Sequence, residues 1–438
     1  MRKFTLLLGA ALTTACPLTV AAPPALAQAQ PQPVQFDSRA AVDAVRKLLR
    51  ENYVVKEHRA GLDAALARGL ASDRYSVTDP QEFARRVTDD MVAVAHDKHL
   101  YLQHDPATSA QLAAGGQSDE VADSPFWRAF ARRQNHGVRE LRVLAGNVRL
   151  MRYDGFLWTG EDSKAALDSA MAFLRGGDAI ILDLRTNGGG SPEAVRRLAS
   201  YFVPAGARLV TFHMRDEAPD VSYAEAVPGG RIEGVPVYVL TSGRSASAAE
   251  EFVSHVAGFG FGTLIGETTA GAAYRNELFP VPGGFALSVS VGRPELPSGG
   301  DWEGKGVAPR HQVPQELALD RALQEALTGL AAKAQDRERT ELEWAAALHG
   351  ARASRAAPAQ PAAAYAGRYG DRMVSAEGST LVYQRDGGLK SALVPLGGDL
   401  FAIEADPRSR VRFVSSNGKV TGFVIERADG GKVEATRA

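Results

Sequence analysis

The chain has 438 residues, 45% of them hydrophobic and 23% charged, with a formal net charge of −1. This is an ordinary globular composition, long enough for two or three domains and for cores without disulfide or metal staples. The balanced charge, with no basic block, speaks against nucleic-acid binding, and no apolar run beyond the N-terminus is long enough to span a bilayer.

The first 27 residues pair Arg2 and Lys3 with an apolar run and a small-x-small site, Ala25-Leu26-Ala27. That pattern predicts a signal peptide cleaved after Ala27 and an exported protein, periplasmic or secreted. A lipoprotein anchored through Cys16 is the less favoured reading, because Thr13 stands where an aliphatic residue is usual. Cys16 is the only cysteine, so cleavage leaves no disulfide, no thiolate nucleophile and no cysteine metal site. Residues 28–36 are a Gln/Pro linker. From 37 to 104, AVDAVRKLLRENYV, AGLDAALARGL and DPQEFARRVTDDMVAVAHD carry apolar residues at three- and four-residue steps, the mark of a helical N-terminal domain.

Residues 105–140 connect this domain to the next, and the polar stretch 105–125 reads as a loop. Between 141 and 315 the pattern becomes α/β. RVLAGNVRLMRYDGF is a hairpin turning at Gly146-Asn147. EDSKAALDSAMAFLRG is an amphipathic helix. AIILDLR (179–185) and PVYVLTS (236–242) are short continuous apolar runs, as in strands buried on both faces, and each leads through small residues into a helix. TLIGE (263–267) and ALSVSVG (286–292) add further strands, and the repeated strand–turn–helix order implies a layered core. Residues 316–364 give an Ala/Leu/Glu-rich helical stretch and an Ala/Pro linker. From 365 to 438, short β-like runs alternate with glycine turns, predicting a small all-β domain.

The chemistry concentrates in TSGRSASAAE (241–250). A buried strand ends there, a helix begins, and Ser247 sits near the helix N-terminus, where unpaired N–H groups and the dipole favour an oxyanion. On spacing alone, Ser245 or Ser247 reads as a helix N-cap at least as readily as a nucleophile. DLRTNGGG (183–190) is a strand running into three glycines, either a tight turn or a loop that presents backbone N–H groups to a ligand. It lacks the spacing of a dinucleotide loop. A serine nucleophile needs a base. His255 lies eight residues on along the same helix, roughly 12 Å away and too far for direct transfer. His99, in VAHDKHLYLQ, is taken alone more readily structural than catalytic. His96 and His99 have no third ligand at a recognisable spacing, so neither a metal nor a cofactor is expected.

In combination, DKHL (97–100), DLRTNGGG (183–190), SASAAE (245–250), GETTAG (266–271) and WEGKGVAP (302–309) resemble the tail-specific (C-terminal-processing) and tricorn serine peptidases, in the branch that resembles interphotoreceptor retinoid-binding protein. The resemblance covers about residues 37–315. It implies a ClpP/crotonase-like core of ββα units, Ser247 as nucleophile, and a peptide or protein substrate. It also implies an oxyanion hole from the N–H groups of Gly189 and Ala248. The lysine of the tail-specific type would fall at Ala272, which excludes the lysine dyad. The tricorn-like type takes its base from upstream, which implies His99, with Glu303 helping to orient the site. Lys98 stands where that pattern has a serine, and either Asp97 or Glu303 is a candidate to orient the imidazole. The interval from 100 to 140 is too short for the PDZ domain of many relatives. A non-catalytic protein for an apolar or peptide ligand is the alternative on the same fold. An acyl-CoA enzyme of crotonase type is a third reading, and the export signal speaks against it.

Overall fold

The computed structural model describes residues 36–116, 124–215 and 217–438. The expected signal peptide, and the linker up to residue 35, lie outside them.

The helical periodicity of the N-terminal stretch becomes α1 (Ser38–Asn52), α2 (Lys56–Ala71) and α3 (Pro80–Ala95). Asp37 and Asp79 start α1 and α3 by accepting a backbone N–H on their carboxylates. Their apolar faces bury Val42, Val45, Phe83 and Met91, but the helices do not close this core alone. Phe285, Leu287 and Val289 of a later strand fill it. Strand β1 (Tyr101–His104) follows. The stretch expected as a loop then holds α4 (Pro106–Ala113) and reaches the start of α5 (Pro125–Arg133). Each opens with proline at its first position behind a capping residue, Asp105 or Ser124. Capping chemistry, rather than an apolar stripe, starts these helices.

The α/β region runs β2 (Val138–Val143), β3 (Val148–Tyr153), α6 (Glu161–Arg175), β4 (Ala179–Asp183) and α7 (Pro192–Ala199). It continues with β5 (Arg208–Met214), β6 (Asp220–Tyr223), β7 (Val237–Thr241), α8 (Ala248–Phe259), β8 (Thr263–Gly266), β9 (Arg275–Val281), β10 (Phe285–Glu295) and β11 (His311–Gln312). The main sheet has the order β11-β8-β7-β4-β3-β2, parallel except for the β2–β3 hairpin. Along β4, Ile180 and Leu182 face the core of α6, α7 and α8. Ile181 faces the opposite core, built with α9 (Ala318–Ala331) and α10 (Asp336–Ser354). Side chains alternate between faces, and both faces are covered, so AIIL (179–182) carries no polar position before the strand ends at Asp183. The second sheet, β1-β10-β5-β6 with β9 also on β10, is antiparallel. Through β1 and β10 it joins the helical region to the core.

After α11 (Ala362–Tyr365), eight strands follow: β12 (Gly367–Tyr369), β13 (Arg372–Glu377), β14 (Thr380–Arg385), β15 (Ser391–Gly397), β16 (Leu400–Ile403), β17 (Asp406–Ser416), β18 (Lys419–Arg427) and β19 (Lys432–Thr436). Each pairs antiparallel with its neighbours in sequence. A bridge from Tyr369 to Arg437 brings the last strand back to the first. The architecture is α/β, with a helical N-terminal region and an all-β C-terminal region. Among the described residues no helix is long and apolar enough to cross a membrane, and no group of three His, Cys, Asp or Glu is placed to hold a metal.

Candidate active site

Strand β7 delivers the chain to a tight turn pinned by two serines. The Ser242 hydroxyl donates to Arg185 O at 2.6 Å, and the Ser245 hydroxyl donates to Leu184 O at 2.8 Å. Ser245 is therefore spent on holding the turn against the strand-end of β4. Ser247 follows with φ 56° and ψ −122°, a backbone state that L-residues adopt only under constraint. Its hydroxyl makes no cap on α8. It points instead to His99, with Oγ 3.0 Å from Nε2. The two residues are 148 positions apart.

Glu250, in the first turn of α8, holds this elbow. It is fully buried, and its carboxylate accepts the N–H of Ser247 at 3.0 Å, of Ala272 at 2.8 Å and of Gly271 at 2.6 Å, and the Thr269 hydroxyl at 2.6 Å. Burial pushes its pKa up, and these four donors pull it back down. The reading of the sequence passed over Glu250. Its signal was the capping-box spacing, serine followed three residues later by glutamate. Ala272, where a lysine would complete a dyad, gives its N–H to Glu250, and its carbonyl accepts from Trp302 Nε1 at 3.2 Å.

His99 sits on the turn that ends α3, where His96 takes φ 53°. Its N–H donates to Asp97 Oδ1 at 2.8 Å, and its carbonyl accepts the Ser288 hydroxyl at 2.6 Å. The backbone is thereby clamped on both sides. The residue is 9% exposed. Burial pushes its pKa below the usual histidine value, against the opposing charge of Asp97. A neutral imidazole at pH 7 can accept the serine proton. Lys98 donates from Nζ to Ala270 O, so it ties the histidine segment to the loop that Glu250 organises.

Two expected roles take a different form. Glu303 does not bond His99: its Oε2 accepts the Ala273 N–H at 2.6 Å, and His99 Nδ1 has no hydrogen-bond partner. Burial first, then the charge of Asp97, pushes the Glu303 carboxyl up to about 7, against the pull of the Ala273 N–H. Gly189 lies against Ser247, where a Cβ would fall 2.8 Å from Ser247 Cβ, and its φ of 110° demands glycine. Its N–H, however, donates to Asn187 Oδ1 at 2.9 Å rather than facing the cleft. The reason is the buried Asn187, which braces the loop by donating from Nδ2 to Tyr153 O and accepting the Ala246 N–H on its carbonyl. Ala248 opens α8, where the N–H has no acceptor within the helix.

Residues 146–313 match peptidase family S41, and residues 25–126 match the N-terminal domain of that family in eukaryotic IRBP. A carboxyl-terminal-processing protease of Picosynechococcus sp. is 30% identical over 142 residues, 32% of this chain and 33% of that protein. The chloroplastic carboxyl-terminal-processing peptidase 2 of Arabidopsis thaliana is 29% identical over 165 residues, 36% of this chain and 31% of that protein. The chain thus spans about a third of the length of these curated relatives. Among solved structures, a putative peptidase from Parabacteroides merdae aligns with 67% of this chain and 98% of that chain, at 18% identity and a TM-score of 0.47. Two successive stretches of the chain thus match models of peptidase family S41 and of its N-terminal domain.

Proposed function

We propose that this chain is an exported serine peptidase that cleaves peptide or protein substrates with Ser247 as nucleophile and His99 as base. The observation that carries the reading is the 3.0 Å approach of His99 Nε2 to Ser247 Oγ, on a serine held at φ 56°. As Oγ bonds the substrate carbonyl carbon, its proton passes to His99 Nε2, and the imidazolium then gives that proton to the leaving amine. Water, deprotonated by the same nitrogen, releases the acyl group and restores Ser247. The N–H of Ala248 serves the oxyanion. Gly189 joins it by releasing Asn187 Oδ1. Glu250 acts through the backbone, fixing the elbow rather than touching substrate. Export follows from the N-terminal signal pattern, and the mature chain then begins at Gln28.

A fluorophosphonate probe tests the nucleophile. The folded protein should be labelled on Ser247, and Ser247→Ala should take no label and lose proteolysis by at least about 1,000-fold. Equal labelling of wild type and Ser247→Ala would refute the reading. N-terminal sequencing of the secreted form tests export, and a mature chain that still begins at Met1 would contradict it.

A further inference from the structure

His99 Nε2 faces Ser247, so a competent base carries its proton on Nδ1, and that proton needs an acceptor. Nδ1 is buried and has no partner in the structure. Two other buried polar atoms nearby are also unpartnered, Asp97 Oδ2 and the Tyr53 hydroxyl. Asp97 and Tyr53 are both fully buried. Asp97 lies two residues before His99, with Oδ1 already on the His99 N–H at 2.8 Å. Tyr53 ends α1 and is held from both sides: its carbonyl accepts Arg59 Nε at 2.8 Å, and the next residue, Val54, donates its N–H to Ser290 O at 2.8 Å. The phenol lies within electrostatic reach of Asp97, Tyr274 and Glu303. Burial, then the charge of Asp97, pushes its pKa far up. The three orphans are chemically complementary, a donor at Nδ1, an acceptor at Oδ2 and a donor at the phenol. Groups this deep in a protein are as a rule paired.

We propose that Asp97, fixed by Tyr53, is the residue that orients His99, and that Glu303 instead anchors the backbone at Ala273. The inference rests on the Ser247–His99 reading. Asp97 shares a short turn with the base, whereas Glu303 spends Oε2 on Ala273. Two carboxylates in one buried neighbourhood resist joint ionisation, and Glu303 is the one pushed up to about 7. In this assignment Asp97, already bonded to the His99 N–H, is the group that steadies the imidazolium. Asp97 and Tyr53 are positioning residues, because neither touches the reacting atoms.

The test uses the full chain and the inactivation rate of a fluorophosphonate, with proteolysis of casein alongside. Asp97→Asn should lower the labelling rate and kcat about 1,000-fold with KM within about twofold, and Glu303→Gln should stay within about fivefold of wild type. The residual activity of Asp97→Asn should show its acid limb at lower pH, since the charge that raises the His99 pKa is gone, while Glu303→Gln should keep the limb in place. Tyr53→Phe preserves ring and burial and should cost about tenfold. It also keeps the idea testable if Asp97→Asn does not fold. Wild-type rates in Asp97→Asn or Tyr53→Phe, or a collapse in Glu303→Gln, would overturn the assignment. Labelling that survives in Ser247→Ala would overturn the underlying mechanism instead, and the inference with it.

Discussion

The C-terminal sheet and the candidate active site are built by opposite rules. In the sheet, β12 to β19 each pair with the strand next in sequence, and the interior is apolar and aromatic. Phe413 packs its ring against Tyr365, Tyr369, Phe401 and Phe423 at 4.8–5.9 Å between centroids. The site draws on residues 97–99, 187–190, 245–250, 269–273 and 302–303. Its interior is polar, with a buried carboxylate at Glu250 and unpartnered atoms at Tyr53, Asp97 and His99. Local pairing and apolar burial suffice to make a stable module. Holding a serine at an unfavourable φ beside a neutral histidine needs long-range hydrogen bonds from several elements at once. The sheet touches the rest of the chain away from the site, where Arg410 lies over the Trp344 ring of α10 at 4.3 Å.

If this division holds, substitutions should separate stability from chemistry. Phe413→Ala empties the centre of the C-terminal sheet and should cost that region about 3–5 kcal/mol in denaturant unfolding. Fluorophosphonate labelling of Ser247 should be unchanged under native conditions, and a matching loss of labelling would merge the two regions into one cooperative unit. Gly189→Ala forces a side chain into φ 110° and against Ser247. It should lower kcat/KM about 100-fold and cost about 1–3 kcal/mol. Glu250→Gln presents an amide to backbone N–H donors. A loss of kcat of roughly 30-fold with KM little changed is expected, from about 2 kcal/mol of broken hydrogen bonding at the elbow. Unaltered kcat would mean that the elbow is held without it.

The smallest effect concerns pH. A carboxyl raised in the folded state from its ordinary value to about 7 favours folding below the ordinary value and loses that advantage as pH rises to about 7. Glu303→Gln should therefore raise Tm by about 2 °C at pH 8 and leave it unchanged at pH 4. Equal shifts at both values would deny the perturbation. Activity should fall below the ordinary histidine pKa, on an acid limb displaced downward because burial lowers that of His99.

The amino-acid sequence alone determined the alternation of buried strands and helices, the position of the strand–turn–helix elbow at 241–250, and the glycine loop at 188–190. These are short-range properties: apolar runs, caps and turn residues act within a few positions of one another. Strands β5, β6 and β9 escaped that reading. RNELFPV carries no clean alternation and becomes a strand only because β10 supplies its partner. The α4 helix was legible in principle through Asp105 and Pro106, but the polar stretch masked it.

Tertiary structure decided the rest. It brings His99 to within 3.0 Å of Ser247, on the turn after α3 that leads into the β1–β10 pairing. It decided that Glu250 braces the elbow, that Glu303 turns to Ala273, and that the Gly189 amide turns to Asn187. The direction of a hydrogen bond depends on where distant backbone groups come to lie, and no local pattern of residues encodes that.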